Sequence, residues 1–233
     1  MLLNGCSYGH RYFEVGKLGG DLGFNDTINL SRPGTGNQRI FRTTFDYVRQ
    51  HQVDFVIVML SFWGRFEATW GNHIPTEGTW VSYNHNGPSL YQDRKLVSNA
   101  NYIDQFIKLK METGDWGPEY INETLRNTRM LTSWLKDMGK PYLIMHSVGL
   151  KNDSCFQQHT VDWTLVDELR CDPGVIDLVD WSSNLFMYQT GGTPDPAEEH
   201  YNLPPSFRHF DEKAHEPLTE FLKQYIIDKK LLG

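Results

Sequence analysis

The chain of 233 residues is long enough for one α/β domain with a sizeable core. Its formal net charge of −7 argues against a nucleic-acid backbone as partner, and no apolar stretch approaches the length that spans a bilayer, so neither nucleic acid nor a membrane is expected. The three cysteines, Cys6, Cys155 and Cys171, are an odd number without metal-ligand spacing, which fits a reduced compartment and no disulfide framework.

Met1-Leu2-Leu3 opens a short strand almost at the N-terminus, with no signal peptide ahead of it, so a cytoplasmic location is expected. The run stops at Asn4-Gly5-Cys6-Ser7-Tyr8-Gly9, a turn of small residues carrying a serine. Residues 27–31 read as a second short strand and Arg32-Pro33-Gly34-Thr35-Gly36-Asn37 as loop. Ile40, Phe41, Phe45 and Val48 fall at helical spacing over 38–51, with Asn37 as the N-cap. Val53 to Leu60 is the strongest strand, almost continuously apolar, as a central parallel strand should be.

Residues 61–98 form a long, irregular, aromatic insertion containing Phe62, Trp63, Phe66, Trp70, Trp80, Tyr83 and Tyr91. It reads as lying over the strand ends, either as a substrate platform or as plain packing. Helices are expected over 101–111 and 118–138, a buried strand over Tyr142–Val148 and a short helix over 159–170. Val175–Val179 fits a strand or a helical turn, and a final helix runs from Glu212 to Leu231. No repeat or boundary divides the chain, so residues 1–233 read as one domain.

A hydroxyl on a turn that ends a buried parallel strand points into the crevice where α/β sheets bind ligands. Ser7 is therefore a nucleophile candidate, although the same residues also describe an ordinary turn with a helix-capping serine. Gly34, on the loop after the second strand, allows close approach of backbone to a ligand. Two histidines, His209 and His215, lie just before and within the last helix, where a returning chain end could supply a base. Arg65 and Glu67 follow the central strand and read either as contacts for a substrate carboxylate or hydroxyl, or as a local ion pair. The remaining histidines have no metal-like spacing, so no metal and no cofactor are expected, and Cys6 reads as an inert buried thiol.

Taken in order, these segments resemble the SGNH (GDSL-type) hydrolase superfamily. Gly5-Cys6-Ser7 resembles the Gly-Asp-Ser of its first block, with Cys6 in place of the aspartate. Asn29 to Gly34 resembles the second block, whose glycine N–H helps to form the oxyanion hole. Asp54 to Leu60 followed by Ser61-Phe62-Trp63-Gly64 stands where the third block, strand then Gly-x-Asn-Asp, belongs. The stretch around His209 resembles the last block. Trp63 falls where the family has an oxyanion-binding asparagine, with Ser61 or a backbone group as a substitute. Ser206 falls where the triad acid belongs, leaving Asp195, Glu198 and Glu199 as nearby replacements. Asp211 then reads as the N-cap of the last helix. The narrower combination of Asn4–Gly9, Ser31–Asn37 and Ser61-x-x-x-Arg65-x-Glu67 is similar to SGNH-like proteins of tailed phages, which implies host cytoplasm or virion as location.

The resemblance implies a three-layer α/β/α fold around a mostly parallel five-stranded sheet of flavodoxin-like type. It further implies a serine esterase or deacetylase acting on an O-acyl ester of a small molecule or carbohydrate. Ser7 would attack and His209 would serve as base. The N–H groups of Ser7 and Gly34, with Ser61, would hold the oxyanion, and Arg65 and Trp63 would contact substrate. The alternative is a binding or structural virion protein that keeps the fold without the chemistry, as the two departures favour.

Overall fold

The computed structural model describes residues 1–11, 14–63, 65–69, 80–84, 87–88, 116–147, 161–178 and 214–233. In chain order its elements are β1 (Leu2–Gly5), α1 (Ser7–Arg11), α2 (Val15–Asp21), β2 (Ile28–Asn29), α3 (Asn37–Gln50), β3 (Val56–Leu60) and β4 (Phe66–Thr69). There follow β5 (Trp80–Asn84), β6 (Gly87–Pro88), α4 (Trp116–Asp137), β7 (Tyr142–His146), α5 (Trp163–Arg170) and α6 (His215–Asp228).

Four strands form one parallel sheet in the order β2-β1-β3-β7. Every residue of β1, β3 and β7 is buried, which explains their nearly continuous apolar runs: helices on both faces leave no solvated side. Asn4 is the polar exception in β1. Its Nδ2 donates to the Ile40 carbonyl (3.0 Å) and to the Thr43 and Thr44 hydroxyls (2.8 and 2.9 Å), pinning α3 to one face. Side chains alternate along a strand, so Met59, one residue beyond the Asn4 partner Val58, faces the other side. There α1 crosses it, and a Cβ on Gly9 would lie 3.7 Å from the Met59 sulfur.

The fold is thus α/β, with four described parallel strands where five were expected. Along the outer edge of β7 the chain adds a single parallel bridge, Ile144 to Val175. The Ile144 N–H donates to the Gly174 carbonyl (2.8 Å) and the Ile176 N–H to the Ile144 carbonyl (2.9 Å), so Val175 is extended rather than helical. Asp172 holds this edge: it accepts from the Tyr142 hydroxyl (2.6 Å) and the Gly174 N–H (2.9 Å) and pairs with Lys136 (2.8 Å). Burial, reinforced by the bond to Asp172, raises the Tyr142 hydroxyl well above the ordinary tyrosine pKa.

Several boundaries differ from the sequence reading for identifiable reasons. The region after β3 is not wholly irregular. β4, β5 and β6 form an antiparallel sheet with Phe66 opposite Tyr83 and Asn84 opposite Gly87. The last helix begins at His215 with Ala214 as its N-cap, not at Glu212. Pro217 explains this: it is tolerated in a first turn, where its missing N–H has no intrahelical partner, but not further inside. Asp211 therefore does not cap this helix, and Asp211 itself lies outside the described residues, as do the helix expected over 101–111 and most of the aromatic insertion. Gly36, not Asn37, is the N-cap of α3, because the Asn37 amide is committed elsewhere.

Chain topology places a switch point between β1 and β3: β2 pairs on one side of β1 and β3 on the other. The approach there is tight. A Cβ on Gly5 would lie 2.9 Å from both the Met59 Cβ and the Met59 carbonyl oxygen, backbone that cannot yield. Gly5→Ala is expected to destabilise the fold by about 1–3 kcal/mol through overpacking, read as a lower urea midpoint at unchanged slope.

Candidate active site

Ser7 is the first residue of α1, two residues past the last paired residue of β1, and is only 3% exposed. Gly5 pairs with Met59, so β1 and β3 run together to the carboxyl edge, with Ser7 two residues past Gly5 and Ser61 one residue past the end of β3. Four elements converge on this edge and fix it. Cys6 Sγ lies 3.3 Å from the Ser147 hydroxyl, which donates to the Leu60 carbonyl (2.6 Å), tying the ends of β1, β7 and β3 together. Cys6 is thereby a buried structural thiol.

The loop after β2 is tied to the same place. Backbone donation continues past β2, from Leu30 to the Leu3 carbonyl (2.8 Å) and from Arg32 to the Gly5 carbonyl (3.1 Å). The Thr35 hydroxyl donates to the Arg32 carbonyl (2.9 Å) inside the loop. Between them Gly34 adopts φ +75°, a left-handed conformation that favours glycine. Asn29 braces α1 against this loop: its Nδ2 donates to the Gly9 carbonyl (2.8 Å) while its Oδ1 accepts from the Ser31 N–H (2.9 Å). His10 Nδ1 lies 3.0 Å from the Ser31 carbonyl oxygen.

The other wall is set by Asn37, whose role the sequence reading missed. Its Oδ1 accepts from the Ser61 N–H (2.7 Å), and its Nδ2 donates to the Ser61 carbonyl (3.2 Å) and the Thr124 hydroxyl (3.3 Å). One buried amide thus matches both backbone groups of the residue that follows β3. An asparagine opening a helix reads as a cap from sequence alone, and nothing in the chain near Asn37 signals a partner 24 residues away. Asn37→Ala would strand the buried Ser61 N–H and carbonyl, at an expected cost of about 2–3 kcal/mol in chemical unfolding.

These bonds also settle what Ser61 offers. Its N–H is occupied by Asn37, and its hydroxyl oxygen accepts from Arg65 Nη1 (3.1 Å). Trp63 is 5% exposed and packs at a tilt against Phe62 with ring centroids 4.8 Å apart, so its ring belongs to the core and presents little surface to a ligand. Arg65 is part-buried. His209, Ser206, Asp195, Glu198 and Glu199 lie outside the described residues, so the pairing of Ser7 with a base is not among the geometry described. His215 is buried at the head of α6, and its carbonyl accepts from the Thr219 hydroxyl (2.9 Å).

No protein-family model and no curated protein matches the chain. Among the described residues, no group of three or more His, Cys, Asp or Glu side chains is arranged to hold a metal, and no helix is long and apolar enough to cross a membrane. Two cavities lie elsewhere, one over α4 and α5 beside Arg126 and Trp134, the other at the amino ends of the strands beside Asp26 and His51. Neither brings a serine beside a histidine. The carboxyl edge at Ser7 remains the candidate site on chemical grounds.

Proposed function

We propose that the protein is a serine hydrolase of the SGNH type that cleaves an O-acyl ester of a small molecule or carbohydrate. The observation that carries this reading is the position of Ser7, buried at the switch point of a parallel sheet, beside a loop turned by a left-handed glycine. In the proposed reaction Ser7 Oγ attacks the ester carbonyl while His209 takes its proton. The N–H groups of Ser7 and Gly34 hold the oxyanion. The alcohol leaves with the proton from His209, and water then hydrolyses the acyl-serine by the same steps in reverse. No metal or cofactor takes part in this scheme, and neither nucleic acid nor a membrane is invoked.

A second reading, a binding or virion structural protein on the same fold, is favoured by one observation. The end of β3 offers the buried Trp63 and a Ser61 N–H already bound by Asn37, where the family pattern has a donor for the oxyanion. Steady-state hydrolysis of 4-nitrophenyl butyrate by purified protein separates the two. Turnover above the level of Ser7→Ala supports the hydrolase, and rates equal to that variant support the binding protein.

A further inference from the structure

Ser31 is held at both of its backbone groups by side chains. Its N–H donates to Asn29 Oδ1 (2.9 Å), and its carbonyl oxygen lies 3.0 Å from His10 Nδ1. A carbonyl oxygen can only accept, so Nδ1 carries the proton in this bond. The neutral ring is thereby fixed in one tautomer. The bond also survives protonation of the ring, because both nitrogens of an imidazolium donate. Ser31 is buried, and its side chain lies against α1 at Gly9, where a Cβ would collide with Ser31 Oγ.

These contacts join two parts of the candidate site that arrive from different strands. α1 follows β1 and begins with Ser7, whereas the loop of Ser31 follows β2 and carries Gly34 at φ +75°. The Arg32 N–H donates to the Gly5 carbonyl (3.1 Å) and the Thr35 hydroxyl to the Arg32 carbonyl (2.9 Å). Those bonds fix the loop to the end of β1 and close it on itself, but they do not reach α1. A helix of five residues has too few internal bonds to hold its own place. Its setting against the loop therefore depends on side-chain ties, from Asn29 to the Gly9 carbonyl (2.8 Å) and from His10 to the Ser31 carbonyl.

We propose that His10 is a positioning residue: by donating to the Ser31 carbonyl it clamps the loop that carries Gly34 to the helix that begins with Ser7, and so sets the spacing of the two N–H groups that receive the oxyanion. The oxyanion part rests on the hydrolase reading, whereas the clamp rests on the bond itself.

Three variants test it. Asparagine carries its amide nitrogen on Cγ, as histidine carries Nδ1, so His10→Asn keeps a donor in place. His10→Gln moves the amide one atom further out, and His10→Ala removes the donor. On 4-nitrophenyl butyrate, His10→Ala and His10→Gln are expected to lower kcat about tenfold with KM within about twofold of the parent, because the oxyanion contact forms only in the transition state and a misplaced donor loses part of its effect. His10→Asn is expected to recover most of that loss. The deficit should be the same factor at every pH, since the donor is present in either state of the ring. Hydrogen–deuterium exchange with mass spectrometry reads the clamp without turnover. The peptide spanning Ser31 to Gly36 is expected to exchange about fivefold faster in His10→Ala than in the parent, and at the parental rate in His10→Asn. Urea midpoints confirm that each variant is folded. Exchange unchanged in His10→Ala, or a loss that His10→Asn does not restore, overturns the proposal, as does a deficit that varies with pH, which would make His10 a proton-transfer group. If the parent cleaves no faster than Ser7→Ala, the hydrolase reading fails, and the exchange measurement alone decides whether His10 holds the loop.

Discussion

Ser7→Ala is expected to lower kcat for a nitrophenyl ester by at least three orders of magnitude while leaving the fold intact. The size follows from the role proposed. Removing a nucleophile that acts as a unit with its base forfeits nearly all covalent catalysis, leaving only what oxyanion donors and binding contribute. The loss should be smaller than in a complete triad, because Ser206 stands where the resemblance places an acid. The substitution itself is mild: Ser7 is 3% exposed, and deleting one oxygen at the start of a five-residue helix disturbs no apolar packing. Near-parental urea midpoints together with lost turnover would attribute the effect to chemistry. Turnover within tenfold of the parent would remove Ser7 from the mechanism.

His209→Ala is expected to cut kcat at least a hundredfold, whereas His215→Ala should act mainly on stability. His215 is buried at the head of α6, and that helix is tied to α2 by Lys17–Glu216 (3.0 Å) and Lys223–Asp21 (3.0 Å). Both pairs keep access to solvent and contribute little, so α6 depends on its apolar face, with Leu218, Leu222 and Ile226 fully buried. Trimming His215 beside that face should lower the urea midpoint and spare kcat. For the base, activity should rise with pH as the imidazole loses its proton. Ser206→Asp should raise kcat in the parent background and do nothing in His209→Ala, since the added carboxylate acts only through the imidazole. An inactive His215→Ala beside an active His209→Ala would shift the base to His215 and with it the alignment of the C-terminal stretch.

The sequence made the centre of the sheet legible because burial on both faces leaves a strong mark. Val56–Leu60 and Tyr142–His146 are apolar almost throughout, and strands of that kind fit only a parallel sheet covered by helices. The edges carried weaker marks. β2 has two exposed residues, and the outermost strand shrinks to one bridge at Val175, whose hold on β7 depends on Asp172, a side chain with no periodicity to betray it. The start of α6 was legible in principle, since Pro217 disfavours a beginning as early as Glu212, but the apolar spacing further along outweighed it. The antiparallel strands were legible in principle too. Trp80-Val81-Ser82-Tyr83 has the β-branched and aromatic content of a strand, yet the length and ring density of the segment pointed toward an irregular insertion instead.

The candidate site divides in the same way. Ser7 and Gly34 could be found because turns built on glycine and serine are local events. Asn37 and Ser61 could not, because the pairing that joins them spans 24 residues and uses backbone groups that every residue possesses. Arg65 was visible as a charge after the central strand, but its bond to the Ser61 hydroxyl is a property of the folded chain.

The most direct test is covalent. A fluorophosphonate ester, which phosphonylates an activated serine with loss of fluoride, is incubated with the purified protein, and the modified peptide is located by mass spectrometry. The account predicts one phosphonyl group per chain, carried by the peptide containing Ser7, with labelling abolished in Ser7→Ala and slowed at least a hundredfold in His209→Ala. A protein that stays unmodified under conditions that label a known serine esterase, or one labelled at a different serine, would contradict it.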